Sequence, residues 1–368
     1  MVQTPLGGAF GGKSGLATEG LLALLAQRLN LPVRLVYSRE DSLRASTKRH
    51  PFRMRYRIGA DREGRLTALH AELLGNTGAY TTVGPGVLTR AATLATGPYA
   101  CPNVLIEGRM AFTNAPPCGA MRGFGAPQVH FALESTLDIL AARLGLDPLE
   151  IRLVGGYLES LRYAGQRLSL RRVAALCRRD GVDPRCSVEE RSAVTPLDPE
   201  TGQGIPHEAY TWGVQMAEVD VNVETGEVRV VRVVTVLDAG KAINPDHVRA
   251  QIEGGVLIGL GFALKEEFLP GETRCFKDYR IPRLKDTPEM VPLFVEVPEP
   301  LAPFGAKAVA ESAAVPTAPA ILNAVADATG ARITHLPVTS KRVLDALARR
   351  REEKGAETRG GRAGPRGE

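Results

Sequence analysis

Glu311 is the residue on which a chemical reading of this chain turns. It stands in Pro303–Gly330, PFGAKAVAESAAVPTAPAILNAVADATG, where a glycine-containing loop leads into an alanine-rich run of helical composition. Ala308, Ala310, Ser312, Ala313 and Ala314 surround it with small side chains, which let backbone come close to something bulky. A lone carboxylate in that place has two uses. It can sit in the first turn of a helix, favoured by the helix dipole, or it can take a proton as a general base. A second stretch, Pro116–Gln128 (PPCGAMRGFGAPQ), carries Arg122 and Phe124 between glycines, Gly123 among them, just ahead of a helix. Such a loop suits anion recognition and stacking on a flat ligand. It suits equally a turn with a surface arginine and a core phenylalanine. A third stretch, Gly7-Gly8-Ala9-Phe10-Gly11-Gly12-Lys13-Ser14, satisfies the phosphate-binding pattern G-x-x-x-x-G-K-[ST]. Asp238, ending the apolar run VVRVVTVLD, imitates the acid that would hold Mg²⁺ in a P-loop NTPase. The context argues against that alternative. A P-loop hangs from a buried strand, and MVQTPL is short and contains Pro5. Otherwise the glycines let backbone approach another large ligand, or make a turn.

The elements that must position these loops follow from periodicity. A helix is expected over Gly15–Leu29, then a strand at VRLVY (Val33–Tyr37). RMRYRIGA and RLTALHAELLG flank Asp61–Gly64 as a β-hairpin. Ala79–Gly97 reads as loop or short helix and carries Arg90. Val104–Phe112 reads as a strand, and a helix follows near Gln128. Leu168–Arg179 suggests a basic helix, and Asp180–Pro206 a polar, proline-punctuated linker. Its Gly202-Gln203-Gly204 reads as a turn. GVQMAEVDVNV and EVRVVRVVTVLD form a second hairpin about Glu224-Thr225-Gly226. A helix over Asp246–Leu264, a strand at Pro292–Val297 and a capped helix after Thr339 complete the pattern.

Composition narrows the class. The 368 residues are 44% hydrophobic and 24% charged, an ordinary globular balance with room for two domains. Of the +5 net charge, +2 sits after Arg349 in a tail read as disordered. A nucleic-acid role is therefore not expected. Cys101, Cys118, Cys177, Cys186 and Cys275 fall in no CxxC or Cys/His spacing, so neither zinc nor an iron–sulfur cluster is expected on this chain. Reduced thiols, no signal peptide and no bilayer-length apolar run give a cytoplasmic reading without a membrane role.

GGAFGGK, AMRGFGAPQ, AINPDHVRAQIEGG and GAKAVAESAAVPTAPAILNAV, in that order, resemble the molybdenum-binding large subunit of the xanthine dehydrogenase/aldehyde oxidase family. The resemblance covers most of residues 4–346. It implies an α+β fold, a two-part molybdenum-cofactor-binding domain, and molybdenum held by a pyranopterin: molybdopterin or its cytosine dinucleotide form. It also implies oxidative hydroxylation of an aldehyde or N-heterocycle with oxygen from water. Glu311 matches the glutamate that takes the proton. Phe10 and Arg122 match positions whose backbone contacts the cofactor, with Gly8, Gly11, Gly12 and Gly123 beside them. Phe124 matches an aromatic on the substrate plane, and Arg90 a pocket arginine that would meet negative charge on a heterocycle. Electrons in this family leave through Fe–S and FAD subunits or domains, which makes a hetero-oligomer the expected state.

The departures are equally specific. Ser14 stands where purine hydroxylases carry a second pocket glutamate, so purine is not the expected substrate. Ala310 replaces the usual glycine before the catalytic glutamate, and Ile258 a cofactor-binding glutamine. A long central segment and a region before the first glycine loop have no counterpart, so another chain could supply the missing parts. The expected organisation is a first cofactor-binding segment over 1–180, a linker over 181–206, a second segment with Glu311 over 207–348, and a tail over 349–368. A non-catalytic remnant or scaffold of the same family is the alternative reading.

Overall fold

The computed structural model describes residues 7–15, 18–148, 151, 198, 204, 207 and 209–360. The expected helix at 168–179, almost all of the linker and the Gly202-Gln203 turn lie outside them.

Two sheets of like topology organise these residues. In the first, β1 (Phe52–Ala60) pairs antiparallel with β2 (Leu66–Gly78), which pairs parallel with β3 (Val104–Phe112). Helices α1 (Glu19–Leu29) and α2 (Arg39–Ala45) precede β1, α3 (Gly84–Thr93) makes the crossover, and α4 (Ala126–Leu144) follows β3. In the second, β4 (Gly213–Val221) and β5 (Val228–Asp238) form the hairpin, and β5 runs parallel to β6 (Glu289–Val295). Here α5 (Pro245–Leu264) and the short α6 (Phe276–Tyr279) lie in the crossover. Helix α7 (Thr317–Thr329) then follows β6 in the place that α4 takes after β3.

The likeness reaches single residues. Each hairpin has a register shift near the start of its second strand, at Gly59/Ala60 against Leu66–Ala68 and at Glu218/Val219 against Val230–Arg232. One extra residue reverses the alternation of a strand. The bulges therefore let Leu66 and Leu69, and likewise Val230 and Val233, all point inward although three apart. Helices α4 and α7 both carry Ala-Pro in the first turn, at Ala126-Pro127 and Ala318-Pro319. The loops preceding them carry Arg122–Phe124 in one half and Glu311 in the other.

Each half has its own core. In β1, Arg53, Arg55 and Arg57 face out while Phe52, Met54, Tyr56 and Ile58 turn toward Leu69, Ala71, Leu73, Val129, Leu133 and Leu137. The second core joins Val230 and Val233 to Val256 and Leu260 of α5 and to Ile321, Leu322 and Val325 of α7. Asn244 caps α5, its side chain accepting from the N–H groups of Asp246 and His247, with Pro245 in the first turn.

Helix α5 approaches the Glu311 segment closely because of two glycines. A Cβ on Gly259 would lie 2.3 Å from the Thr317 Cβ, and one on Gly255 would lie 2.7 Å from the Ala313 Cβ. Gly259→Ala should therefore lower the urea midpoint by the equivalent of about 1–3 kcal/mol, despite alanine's better helix propensity. Gly20→Ala, where nothing lies within 4 Å, should hold or raise the midpoint. A Gly259→Ala midpoint at or above the parent's would refute this packing.

Three expectations change. Val33–Tyr37 is not a strand: no strand among the described residues pairs with it, and Leu35, Val36 and Tyr37 are exposed. Helix α1 (Glu19–Leu29) buries no residue and leaves Leu21, Leu24 and Leu29 exposed. The closing helix, α8 (Ser340–Gly360), runs into the stretch read as a disordered tail. The two outer sheet faces also differ. The first presents Arg55, Arg57, Glu72, His70 and Glu107 in an ion-paired ladder. The second presents Val214 and Met216, 60% and 68% exposed, beside Leu293 and Val295.

Candidate functional site

The loop between β3 and α4 is held from behind. Cys118 donates its N–H to Thr77 O at 3.0 Å, and Gly119 donates to Lys48 O at 2.9 Å. The backbone then turns left-handed at Gly123, Phe124 and Gly125, with φ of 92°, 44° and 102°. A non-glycine residue at positive φ is costly, which marks Phe124 as held in place by its surroundings. Its ring lies against Gly86 of α3.

Arg122 is buried at 5% exposure, and two of its donor nitrogens reach the second half. Its Nε donates to Ala310 O and its Nη2 to Gln251 O at 2.8 Å. Burial lowers its pKa, and Glu311 opposes that. The guanidinium is thus a stitch between the halves, which corrects the reading of Arg122 as an anion-gripping or surface arginine. Its backbone N–H donates to Phe10 O at 2.9 Å, bringing the first glycine loop into the site.

That loop carries positive φ at Gly8, Phe10 and Gly11. A Cβ on Gly11 would fall 2.8 Å from the Ala120 carbonyl carbon, so Gly11 is small for a protein contact. Gly7 has open space around it, and the Phe10 ring is exposed. Ser14 Oγ donates to Gly11 O at 2.7 Å and is not among the groups that touch Glu311. Helix α1 begins only at Glu19, without a side-chain N-cap. A P-loop needs its helix directly after the glycines, so the NTPase alternative loses its geometry.

Glu311 lies between the halves. Its Oε2 is 2.9 Å from Arg90 Nη2, and its Oε1 accepts from Gly123 N at 3.3 Å. It makes no capping bond to the 3₁₀ turn Ser312–Ala314 that follows, so the cap reading falls. The pair is partly open, with side-chain exposures of 35% for Arg90 and 42% for Glu311. Arg90 Nε is buried with no hydrogen-bond partner. Sequence reasoning missed Arg49 and His207. Arg49 Nη2 donates to Arg122 O at 2.9 Å, and its guanidinium lies over the Phe262 ring. Burial pulls the Arg49 pKa down to about 10, with Glu266 the main opposing influence. His207 is pushed down by burial and by the Arg90 charge. The only hint of either in sequence is a basic residue next to His50-Pro51, and a lone histidine.

Two like halves thus meet, through glycine-bent loops, on one carboxylate and one arginine. The molybdopterin cofactor-binding domain family matches residues 1–154, and a second molybdopterin cofactor-binding domain matches 131–288. A probable xanthine dehydrogenase subunit from Bacillus subtilis is 27% identical over 514 aligned positions, covering 95% of this chain and 69% of that protein. The nicotinate dehydrogenase large molybdopterin subunit of Eubacterium barkeri is 43% identical over 157 positions, 43% of this chain and 37% of that one. In structure, the aldehyde oxidoreductase of Desulfovibrio gigas superposes with a TM-score of 0.83 at 24% identity, over 93% of this chain and 54% of that one. This chain belongs to the molybdopterin cofactor-binding family of the xanthine dehydrogenase and aldehyde oxidoreductase type. Its fold is the α+β fold of that family, and the cofactor for which the family is named is molybdopterin.

The residues present fit such a group. Arg90 Nε and Arg49 Nη1 are buried donors without partners, suited to an anionic, acceptor-rich ligand. Among the described residues no cluster of His, Cys, Asp or Glu could hold a bare ion.

Proposed function

We propose that this chain is the molybdenum-binding subunit of a hydroxylase that oxidises an aldehyde or N-heterocycle, in a cytoplasmic complex with Fe–S and FAD subunits. The observation that carries this reading is the Glu311 carboxylate, held 2.9 Å from Arg90 and 3.3 Å from the Gly123 amide at the junction of the two halves. The bound molybdenum–pterin group would supply the two-electron oxidation and activate water as the oxygen source.

The chain's own residues have separable roles. Glu311 takes the proton of the attacking oxygen. The Gly123 N–H holds one carboxylate oxygen, which leaves the other to face Arg90. Arg90, whose side chain is partly exposed beside Glu311, then meets negative charge on the substrate. Phe124, fixed at positive φ, offers a flat face. Phe10, Gly8, Gly11, Gly12 and Gly123 bring backbone to the cofactor. Arg122 and Arg49 hold the loops without entering the chemistry.

Ser14 is a neutral hydroxyl, exposed and turned to its own loop. A complex isolated from native cells through a tag on this chain should therefore show a higher kcat/KM for aldehydes or non-purine heterocycles than for xanthine. A panel of aldehydes, pyridines, quinolines and xanthine with an artificial electron acceptor measures this. Xanthine as the best substrate would refute the role given to Ser14, and no turnover on any member would favour the non-catalytic alternative.

A further inference from the structure

We propose that Asp238 and Lys307 are a positioning pair that sets the place of Glu311; the proposal rests on the reading of Glu311 as the base. Lys307 Nζ lies 2.6 Å from Asp238 Oδ2, with side-chain exposures of 8% and 7%. The other carboxylate oxygen of Asp238 accepts from Gly240 N at 2.9 Å. The carboxylate is thus fixed from two sides at the C-terminal end of β5, the central strand of its sheet.

Lys307 stands four residues before Glu311, in a segment with little regular structure of its own. Between the 3₁₀ turns at Pro303–Gly305 and Ser312–Ala314 it has no helix or paired strand beyond a single bridge, Gly240 to Ala306. Its position is therefore set by anchors from outside. Lys241 N donates to Gly305 O at 2.7 Å and Lys307 N to Ala239 O at 3.0 Å. Thr211 Oγ1 donates to Ala308 O at 2.8 Å, and Gln215 Nε2 to Ala313 O at 2.9 Å. Arg122 Nε donates to Ala310 O from the other half; the ion pair is the charged anchor that the second half itself supplies, beside the cluster of Leu237, Ala239, Ile252, Ala313 and Val309. A Cβ on Gly240 would lie 2.8 Å from Lys307 Cγ, so the strand end is shaped to admit the lysine stem.

Stability alone does not call for such a pair. A buried ion pair is often no better than matched apolar residues, whereas removing one partner strands the other. What the pair adds is direction: one lysine rotamer and one carboxylate position, hence one path for the backbone from 307 to 311. Glu311 needs that precision because its two contacts, Arg90 and Gly123, come from the other half. A displacement of about 1 Å at a reacting group can cost about 10²-fold in rate.

The test uses the full chain and, for rates, the complex isolated through it. Hydrogen exchange is followed in peptides from 303–314 and, as reference, from 317–329 in α7. Asp238→Asn and Lys307→Met each strand a buried charge and so lower the thermal midpoint, but they should raise exchange in 303–314 by about tenfold or more beyond any rise in α7. In the complex, kcat should fall by about tenfold or more with KM within about threefold, and Lys307→Arg should recover much of it. Unchanged exchange in 303–314, or an equal rise in α7, would overturn the proposal, the second result showing a merely structural pair. Should Lys307→Met fail to fold, the isosteric Asp238→Asn decides by the same exchange readout. Activity that survives Glu311→Gln would remove the base assignment, and the exchange comparison would still judge the pair.

Discussion

Glu311→Gln should reduce turnover by about 10²–10⁴-fold or more in the active complex, the usual consequence of removing a general base. That is about 2.7–5.5 kcal/mol in the barrier. The amide keeps the shape and can still accept from Gly123 N, now 3.3 Å from the carboxylate. It cannot take a proton, and it gives up the ion pair with Arg90. That pair is partly exposed, so its loss should cost the fold only about 0–1 kcal/mol. The asymmetry is what makes the variant informative: a large change in rate with near-normal cofactor content and thermal midpoint. Full activity in the variant would remove Glu311 from the mechanism.

The second large effect concerns the cofactor. The alignment with the Bacillus subtilis relative runs over 514 positions, and this chain has 368 residues, so at least 146 positions within it have no counterpart here. A pterin cofactor is long and needs walls along its length. The retained loops at Gly7–Lys13, Gly119–Gln128 and Gly305–Ser312 supply some of them. Each lost polar partner of a buried cofactor group costs about 1–3 kcal/mol, and each 1.4 kcal/mol weakens binding about tenfold. This polypeptide expressed by itself should therefore retain little molybdenum. The outer face of the second sheet, with Val214, Met216, Leu293 and Val295, and the bare side of α1, should bind a hydrophobic dye and drive association. Near-stoichiometric molybdenum in a monodisperse preparation would show that the three loops suffice.

Much of the scaffold was legible because it is written in short-range periodicity. Arg53, Arg55 and Arg57 alternating with Met54 and Tyr56 mark β1, and Asn244-Pro245 marks the start of α5. Val33–Tyr37 misled because an apolar, β-branched run looks the same with or without a neighbour to pair with, and only tertiary structure supplies the neighbour. The repeat of the two halves was hidden because no residue spacing recurs; what recurs is a bulge position and strand order. Within the site, the loops announced themselves through their glycines. The links did not. Arg90 meets Glu311 across the halves, and Arg122 bonds carbonyl groups, which every residue carries. Asp238 and Lys307 likewise meet only because β5 ends beneath the loop.

The most direct test of the whole reading is the molybdenum content of the complex drawn from native cells through a tag on this chain, measured per mole of chain. The expected result is near-stoichiometric molybdenum with a pterin, accompanied by iron and flavin from the copurifying subunits. Molybdenum no higher than in a mock purification, in a preparation where the chain is folded and its partners are present, would contradict it.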